Sequence, residues 1–149
     1  MGAARIALVG CGKSKLDRAA PARELYTGPL FRSALSYALE PDRFDSVYIL
    51  SAKYGLLYLD EKIEPYDLAL AQRDRAARVK WGRLVAASLD ALHYRCPLDI
   101  TCLAGRPYVD ALLWMGEGYF FEHRWSLSAP LSGLGRGQRL AWFKQRRAA

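Results

Sequence analysis

The chain is 149 residues long, 52% hydrophobic and 25% charged, a composition typical of a soluble protein that forms a single domain, residues 1–149. It has no apolar run near the roughly 20 residues needed to cross a bilayer, and one arginine before a very short apolar run at the N-terminus is too little for a signal peptide. We therefore expect a cytoplasmic protein with no membrane partner. The sequence leaves the oligomeric state open.

The formal net charge of +7 is unevenly distributed. No acidic residue follows Glu122, whereas six basic residues do: Arg124, Arg136, Arg139, Lys144, Arg146 and Arg147. A basic face of this kind favours a polyanionic partner, which here means nucleic acid or a nucleotide. The alternative is that the positive tail only keeps a small protein soluble.

The first apolar segment, residues 6–9, predicts a strand that is buried on both faces of a parallel sheet. A glycine-rich, cationic turn follows directly: Gly10, Cys11, Gly12, Lys13, Ser14 and Lys15. Backbone N–H groups, a hydroxyl and two ammonium groups therefore converge at the carboxyl end of a strand, which suits an anion such as phosphate. The alternative is a tight turn with surface lysines.

Known phosphate motifs do not match this turn. A P-loop would need glycine where Ala7 stands, and a dinucleotide fingerprint would need glycine where Lys15 stands. The sequence thus implies neither ATP nor NAD, and no cofactor is expected. The three cysteines, Cys11, Cys96 and Cys102, form no C-x-x-C pair, so neither a disulfide framework nor a metal site is predicted. Cys11 lies beside two lysines, which makes it a candidate nucleophile; the alternative is a packing role.

A second strand, residues 46–50, ends in another polar turn that contains Ser51, Lys53, Tyr54 and Gly55. Residues 29–39 read as the crossover helix between the two strands. A right-handed crossover would place the strands side by side, so we expect both turns to form one pocket. In the alternative, Tyr54 covers the core and Lys53 is solvated.

An acidic loop, residues 60–67, stands out in this basic protein. Glu64 and Asp67 are its candidates for a general acid or base. Surface carboxylates are more often solvated or paired with basic groups, which is the alternative here.

The rest of the chain predicts further strand and helix units. A long helix over residues 72–92 would bury Trp81, Leu84, Val85, Leu89 and Leu92. Leu98–Leu103 reads as a third strand, followed by a turn with Arg106 and Tyr108 and a helix. Residues 119–125, rich in aromatics, read as a fourth strand. A long turn with Gly135 and Arg136 leads to a closing helix over residues 138–146, with Leu140, Ala141 and Phe143 facing inward.

This alternation predicts a single three-layer α/β domain with a largely parallel sheet of about four strands flanked by helices. The four strand-end turns would open on one side. Tyr54 or Tyr108 would then stack on a base, and six residues would hold phosphate: Lys13, Ser14, Lys15, Lys53, Arg106 and Arg136.

Several motifs together resemble a family of uncharacterised bacterial and phage proteins defined only as a domain of unknown function. They are Cys-Gly-Lys-Ser-Lys (residues 11–15), Leu-Ser-Ala-Lys-Tyr-Gly-Leu-Leu (50–57), Ile-Glu-Pro-Tyr-Asp (63–67) and Pro-Leu-Ser-Gly-Leu-Gly-Arg-Gly-Gln (130–138). The resemblance spans nearly the whole chain. It implies a family but no reaction.

Two more distant resemblances concern the turns of the chain. The Ser-Ala-Lys-Tyr-Gly-Leu turn is similar to one in YaaA-type peroxide-stress proteins, which are associated with DNA protection. The order of turns, ending in Pro130-Leu131-Ser132, is faintly similar to that of uracil-DNA glycosylases, whose last motif carries a histidine ahead of Pro-Leu-Ser; this chain has Ser128 and Ala129 there instead. That resemblance therefore implies a fold and not a glycosylase reaction.

Three functions fit these observations. The leading hypothesis is a nucleic-acid or nucleotide-handling protein with a phosphate-binding pocket at the strand ends, with N-glycosidic or base-modification chemistry as one option. The second is a non-catalytic DNA-binding stress-response protein. The third is an enzyme acting on a small-molecule phosphate ester. The sequence does not decide whether the protein is an enzyme.

Overall fold

A computed structural model of the chain describes residues 2–147. Its strands are β1 (Ala4–Gly10), β2 (Ala20–Pro21), β3 (Ser46–Ser51), β4 (Gly55–Leu57), β5 (Lys62–Ile63), β6 (Leu98–Leu103) and β7 (Trp125–Ser128). Its α-helices are α1 (Ala22–Leu25), α2 (Pro29–Ala38), α3 (Arg75–Leu92), α4 (Arg106–Leu113), α5 (Glu117–His123) and α6 (Arg136–Gln145).

Five of the strands form one sheet in the order β4-β3-β1-β6-β7. All neighbours are parallel except β3 and β4, which form an antiparallel pair. The largely parallel α/β sheet is therefore confirmed, with five strands instead of about four. The additional strand arises because the polar turn after β3 reverses the chain, so that Gly55 pairs with Ser51.

Helices cover both faces of this sheet, because successive residues of a strand point to opposite sides. Ile6 and Leu8 of β1 pack with Trp81, Val85 and Leu89 of α3 and with side chains of α4. Ala7 and Val9 pack instead with side chains of α1, α2 and α6, among them Phe31 and Phe143. The molecule thus has three layers, with the sheet in the middle.

Strand β1 lies at the point where the order of strands reverses. The chain crosses from β1 to β3 by α2 on one face, then from β3 to β6 by α3 on the other, so that β3 and β6 flank β1. In open α/β sheets, ligands bind outside the carboxyl ends of the strands at such a switch point. The turn that follows β1 occupies this position.

The predicted strand over residues 119–125 is wrong: these residues form most of α5, and β7 begins only at Trp125. Tyr119 and His123, four residues apart, stack with their ring centroids 3.9 Å apart, which is a contact between successive turns of a helix. High β-propensity of aromatic residues reflects packing on a half-buried surface, and here a helix supplies that surface.

The helix predicted over residues 72–92 begins later, at Arg75, with Asp74 as its N-cap accepting a hydrogen bond from the Ala77 N–H. Trp81, Val85 and Leu89 are buried as expected, but Leu84 and Leu92 are 58% and 40% exposed. The buried face turns toward Gly82 and Ala86 because α3 packs closely on α4. Neither α3 nor any other helix within residues 2–147 has the length and apolar character required of a membrane span.

The closing helix, α6, buries Phe143 and partly covers Leu140, whereas Ala141, expected to face inward, is exposed. The segment between the first turn and α2 contains β2, which pairs with β5, and the short helix α1.

Candidate functional site

The turn after β1 projects from the sheet between two fixed ends. At its start, the Cys11 N–H donates to the Leu50 carbonyl at 3.0 Å and so extends the pairing with β3. At its end, Lys15 forms a β-bridge with Tyr26, and the Thr27 N–H donates to the Ser14 carbonyl at 2.9 Å. Lys13 and Ser14 are exposed between these anchors.

A cleft on one side of this turn, which we call the basic cleft, has a volume of about 360 Å³. Its walls are the turn (Gly12, Lys13, Ser14), the start of α2 (Gly28, Leu30, Phe31) and the approach to α6 (Leu134, Arg136, Arg139). The Arg139 Nε–H donates to the Leu134 carbonyl at 2.9 Å, which fixes this guanidinium at the cleft.

The cations of the basic cleft have no anionic partner in the described part of the chain. Neither Lys13, Arg136 nor Arg139 forms an ion pair with a carboxylate of residues 2–147. The cleft also lies at the N-terminus of α6, where free backbone N–H groups and the helix dipole add to the positive potential. Its electrostatics therefore favour an anion.

A second cleft of about 340 Å³, which we call the polar cleft, lies on the other side of the same turn. Its lining comprises Cys11, Gly12, Lys13, Lys15, Asp67, Leu68, Ala69, Gln72 and Tyr108. The Cys11 Sγ and the Tyr108 hydroxyl lie 3.2 Å apart. Burial raises the pKa of Tyr108, so this phenol stays protonated and neutral. Asp67 is the carboxylate of this lining.

A chain of hydroxyl groups connects the turns after β1 and β3. The Tyr66 hydroxyl lies 2.7 Å from both the Tyr26 hydroxyl and the Ser51 Oγ. The Ser51 Oγ also accepts from the N–H groups of Lys53 and Tyr54, at 3.2 and 3.0 Å. Desolvation raises the pKa of Tyr26 to about 12 and raises that of Tyr66 as well, so both phenols are neutral.

The same tyrosines position Lys15. Its Nζ lies 4.6 Å from the ring centroid of Tyr66 and 5.7 Å from that of Tyr26, which are cation–π distances. The Nζ also donates to the Lys13 carbonyl at 3.1 Å. The tyrosines of the hydroxyl chain therefore pack against Lys15, the last residue of the projecting turn.

The predicted site residues divide into three groups. The two clefts bring together Cys11, Gly12, Lys13, Ser14, Lys15, Asp67, Tyr108 and Arg136. Ser51 lies beneath them, fully buried, and Gly135 is the N-cap of α6. Gly10 packs so closely on Ala104 that a methyl group there would lie 2.7 Å from the Ala104 Cβ.

The remaining predicted residues do not line either cleft. Lys53 lies over the ring of Tyr54, and the Tyr54 hydroxyl donates to the Glu64 carbonyl at 3.2 Å. Arg106 is 87% exposed and pairs with Asp110. The turns after β1 and β3 do share one edge of the sheet, but it is Ser51, through Tyr66, that connects them and not Lys53.

Several residues of the site were not among the sequence candidates, and Arg139, Tyr66 and Gln72 are examples. Arg139 was counted only in the basic tail, Tyr66 only within its motif, and Gln72 only as the start of a helix. Gln72 instead ends a 3₁₀ turn, Leu70–Gln72, that precedes α3. Within residues 2–147 no cluster of three or more His, Cys, Asp and Glu side chains has the arrangement of a metal site.

A comparison with known protein families gives a match that covers most of the chain. A model of a family of unknown function, DUF6884, matches residues 6–145. The chain belongs to DUF6884. No curated protein matches it. The DUF6884 region contains every residue that lines the basic and polar clefts, so both clefts lie within the family's domain.

Proposed function

We propose that the protein binds the phosphate group of a nucleotide or nucleic acid in the basic cleft. The observation that carries this proposal is the convergence of Lys13, Arg136 and Arg139, without carboxylate partners in residues 2–147, on one cleft at the carboxyl ends of parallel strands. Like charges held together repel one another unless an anion lies between them. A dianionic phosphate relieves that repulsion and accepts hydrogen bonds from both guanidinium groups.

The location of the cleft supports the same proposal. Four parallel strands end at this edge, and β1, in the middle of the sheet, leads directly into the turn of Gly12, Lys13 and Ser14. Gly12 and Ser14 have small side chains that leave room for an anion beside the backbone N–H groups, which bind phosphate oxygens in many nucleotide-binding loops. Leu30 and Phe31 close the cleft on its inner side and exclude part of the water.

The test is a titration of ¹⁵N-labelled protein with inorganic phosphate, followed by amide chemical shifts. We expect saturable shifts at Gly12, Lys13 and Ser14. Arg139→Ala should weaken phosphate binding by about tenfold, because a charge-assisted hydrogen bond is lost. Arg83→Ala is the matched control, because it removes the same charge from an exposed position on α3. Equal affinity in both variants would contradict the proposal.

The basic residues at the C-terminal end of α6 favour a second candidate, a protein that binds nucleic acid along its surface. Lys144, Arg146 and Arg147 are all exposed, and the Arg146 guanidinium stacks on Trp142 at 4.1 Å from the ring centroid. Such a protein would contact many phosphates, and its affinity would fall steeply with salt. A ligand held at the basic cleft alone gives a shallow salt dependence, so the slope separates the two candidates.

A further inference from the structure

The polar cleft is not part of the proposed phosphate site, but it adjoins the basic cleft. Gly12 and Lys13 line both. A narrow cavity of about 80 Å³, lined in part by Cys11, Gly12 and Arg139, lies at the same junction. A ligand with its phosphate in the basic cleft therefore has the polar cleft within reach of its remaining atoms.

The lining of the polar cleft suits a neutral group with several hydrogen-bonding positions. Asp67 offers acceptor oxygens, and the Gln72 amide offers both a donor and an acceptor; both side chains are exposed and free of ion pairs within residues 2–147. Leu68 and Ala69 supply apolar contacts between them. A ribose offers hydroxyl groups to a carboxylate, and a base offers its edge to an amide.

Charge sets the orientation of such a ligand. Asp67 is a carboxylate in the polar cleft, whereas no carboxylate lines the basic cleft. The polar cleft has two cations, Lys13 and Lys15, beside this carboxylate, whereas the basic cleft has three cations, Lys13, Arg136 and Arg139, and no carboxylate. The phosphate therefore belongs in the basic cleft and the neutral part in the polar one. The volume of about 340 Å³ lies in the range of small-molecule sites.

We propose that the ligand is a nucleoside monophosphate unit that spans the Gly12–Lys13 turn, with its phosphate in the basic cleft and its nucleoside in the polar cleft. This inference rests on the proposed phosphate-binding function and assigns Asp67 and Gln72 as the residues that recognise the nucleoside.

The test compares three probes by calorimetry: inorganic phosphate, the four ribonucleoside monophosphates, and the corresponding nucleosides. We expect at least one monophosphate to bind about tenfold or more tightly than inorganic phosphate. If every monophosphate binds only as well as phosphate, the nucleoside assignment is overturned while the phosphate cleft stands. If neither monophosphates nor phosphate bind, both proposals fail.

Variants locate the two halves of the ligand. Asp67→Asn and Gln72→Ala should each weaken the monophosphate by about five- to tenfold and leave inorganic phosphate unchanged. Glu64→Gln is the matched control for Asp67→Asn, because Glu64 is exposed in the same loop but lines neither cleft. Equal monophosphate affinity in Asp67→Asn, Gln72→Ala and the unmodified protein would overturn the proposal.

A nucleoside monophosphate unit occurs as a free nucleotide and at the end of a nucleic-acid chain. A single-stranded oligonucleotide with a terminal phosphate separates these two sources. If the oligonucleotide binds more tightly than the monophosphate and loses affinity on Gln72→Ala, the bound unit is the end of a nucleic-acid chain. If it binds less tightly than the monophosphate, the unit is the free nucleotide. Oligonucleotide binding that is tighter than the monophosphate but unaffected by Asp67→Asn and Gln72→Ala would overturn the assignment of the polar cleft.

Discussion

Gly10 and Gly12 lie two residues apart in the same turn, but their surroundings are opposite. A methyl group on Gly10 would lie 2.7 Å from the Ala104 Cβ and 2.9 Å from its Cα, whereas one on Gly12 would meet nothing within 4 Å. Gly10 therefore allows the ends of β1 and β6 to come together, and Gly12 leaves room at the junction of the two clefts.

This difference predicts the effect of two alanine substitutions. Gly10→Ala should lower the free energy of unfolding by about 1–3 kcal/mol, because the added methyl overlaps backbone that cannot move freely. Gly12→Ala should leave that free energy nearly unchanged. Urea denaturation measures both. Equal stability of the two variants would show that the strand ends adjust to the methyl group.

At this scale, some of the residues named from the sequence also line the two clefts. Lys13, Ser14, Tyr108 and Arg136 were predicted because they follow strands, and strand ends can be read from apolar runs. Arg139 and Gln72 were not, because their position depends on where α6 and the 3₁₀ turn pack against the sheet. Packing of this kind is set by distant parts of the chain and leaves no local pattern.

Among the elements, α3 and α4 make an unusually close contact. An added methyl group on Gly82, in the middle of α3, would lie 2.3 Å from the Ala111 carbonyl oxygen. Glycine normally weakens a helix, so its presence there indicates that the approach of the two helices requires it.

A substitution in α3 tests this contact against a matched glycine in α5. Gly82→Ala should destabilise the protein by about 1–3 kcal/mol, even though alanine is favoured by about 1 kcal/mol in a helix, because the steric overlap is with backbone. Gly118→Ala should be neutral or stabilising, since nothing lies within 4 Å of the added methyl. Thermal and urea unfolding measure the difference. A stable Gly82→Ala variant would mean that the helices separate at little cost.

The elements also show which patterns can be read reliably. The bounds of β6 were predicted correctly, and the core of β1 and β3 likewise. Strand β4 was interpreted as part of a turn because three residues carry too little pattern. Helix α5 was interpreted as a strand because its aromatic residues resemble those of a sheet, although Tyr119 and His123 have helical spacing.

For the molecule as a whole, two groups of basic residues could bind an anion: the cations of the basic cleft and the exposed residues at the C-terminal end of α6. Three cations line the basic cleft, so a bound anion relieves repulsion that the folded state carries. Lys144, Arg146 and Arg147 are exposed, so salt in the solvent screens their mutual repulsion.

Phosphate should therefore stabilise the protein more than chloride at equal ionic strength. At a phosphate concentration ten times its dissociation constant, the gain of about 1.4 kcal/mol corresponds to a rise of about 4–5 °C in the melting temperature. The triple variant Lys13→Ala, Arg136→Ala, Arg139→Ala should lose this rise, whereas Lys144→Ala, Arg146→Ala, Arg147→Ala should keep it. Differential scanning fluorimetry measures both. If the second variant loses the rise in melting temperature, the anion binds at the C-terminal end of α6 and not in the basic cleft.

The walls of the two clefts come from distant parts of the chain: Gly12 near one end, Gln72 near the middle and Arg139 near the other end. No fragment that lacks either end retains a complete basic cleft. The cleft is therefore complete only when β1, β3 and β6 have paired and α6 has docked. Ligand binding is accordingly linked to the folding of the entire domain rather than to the ordering of one loop.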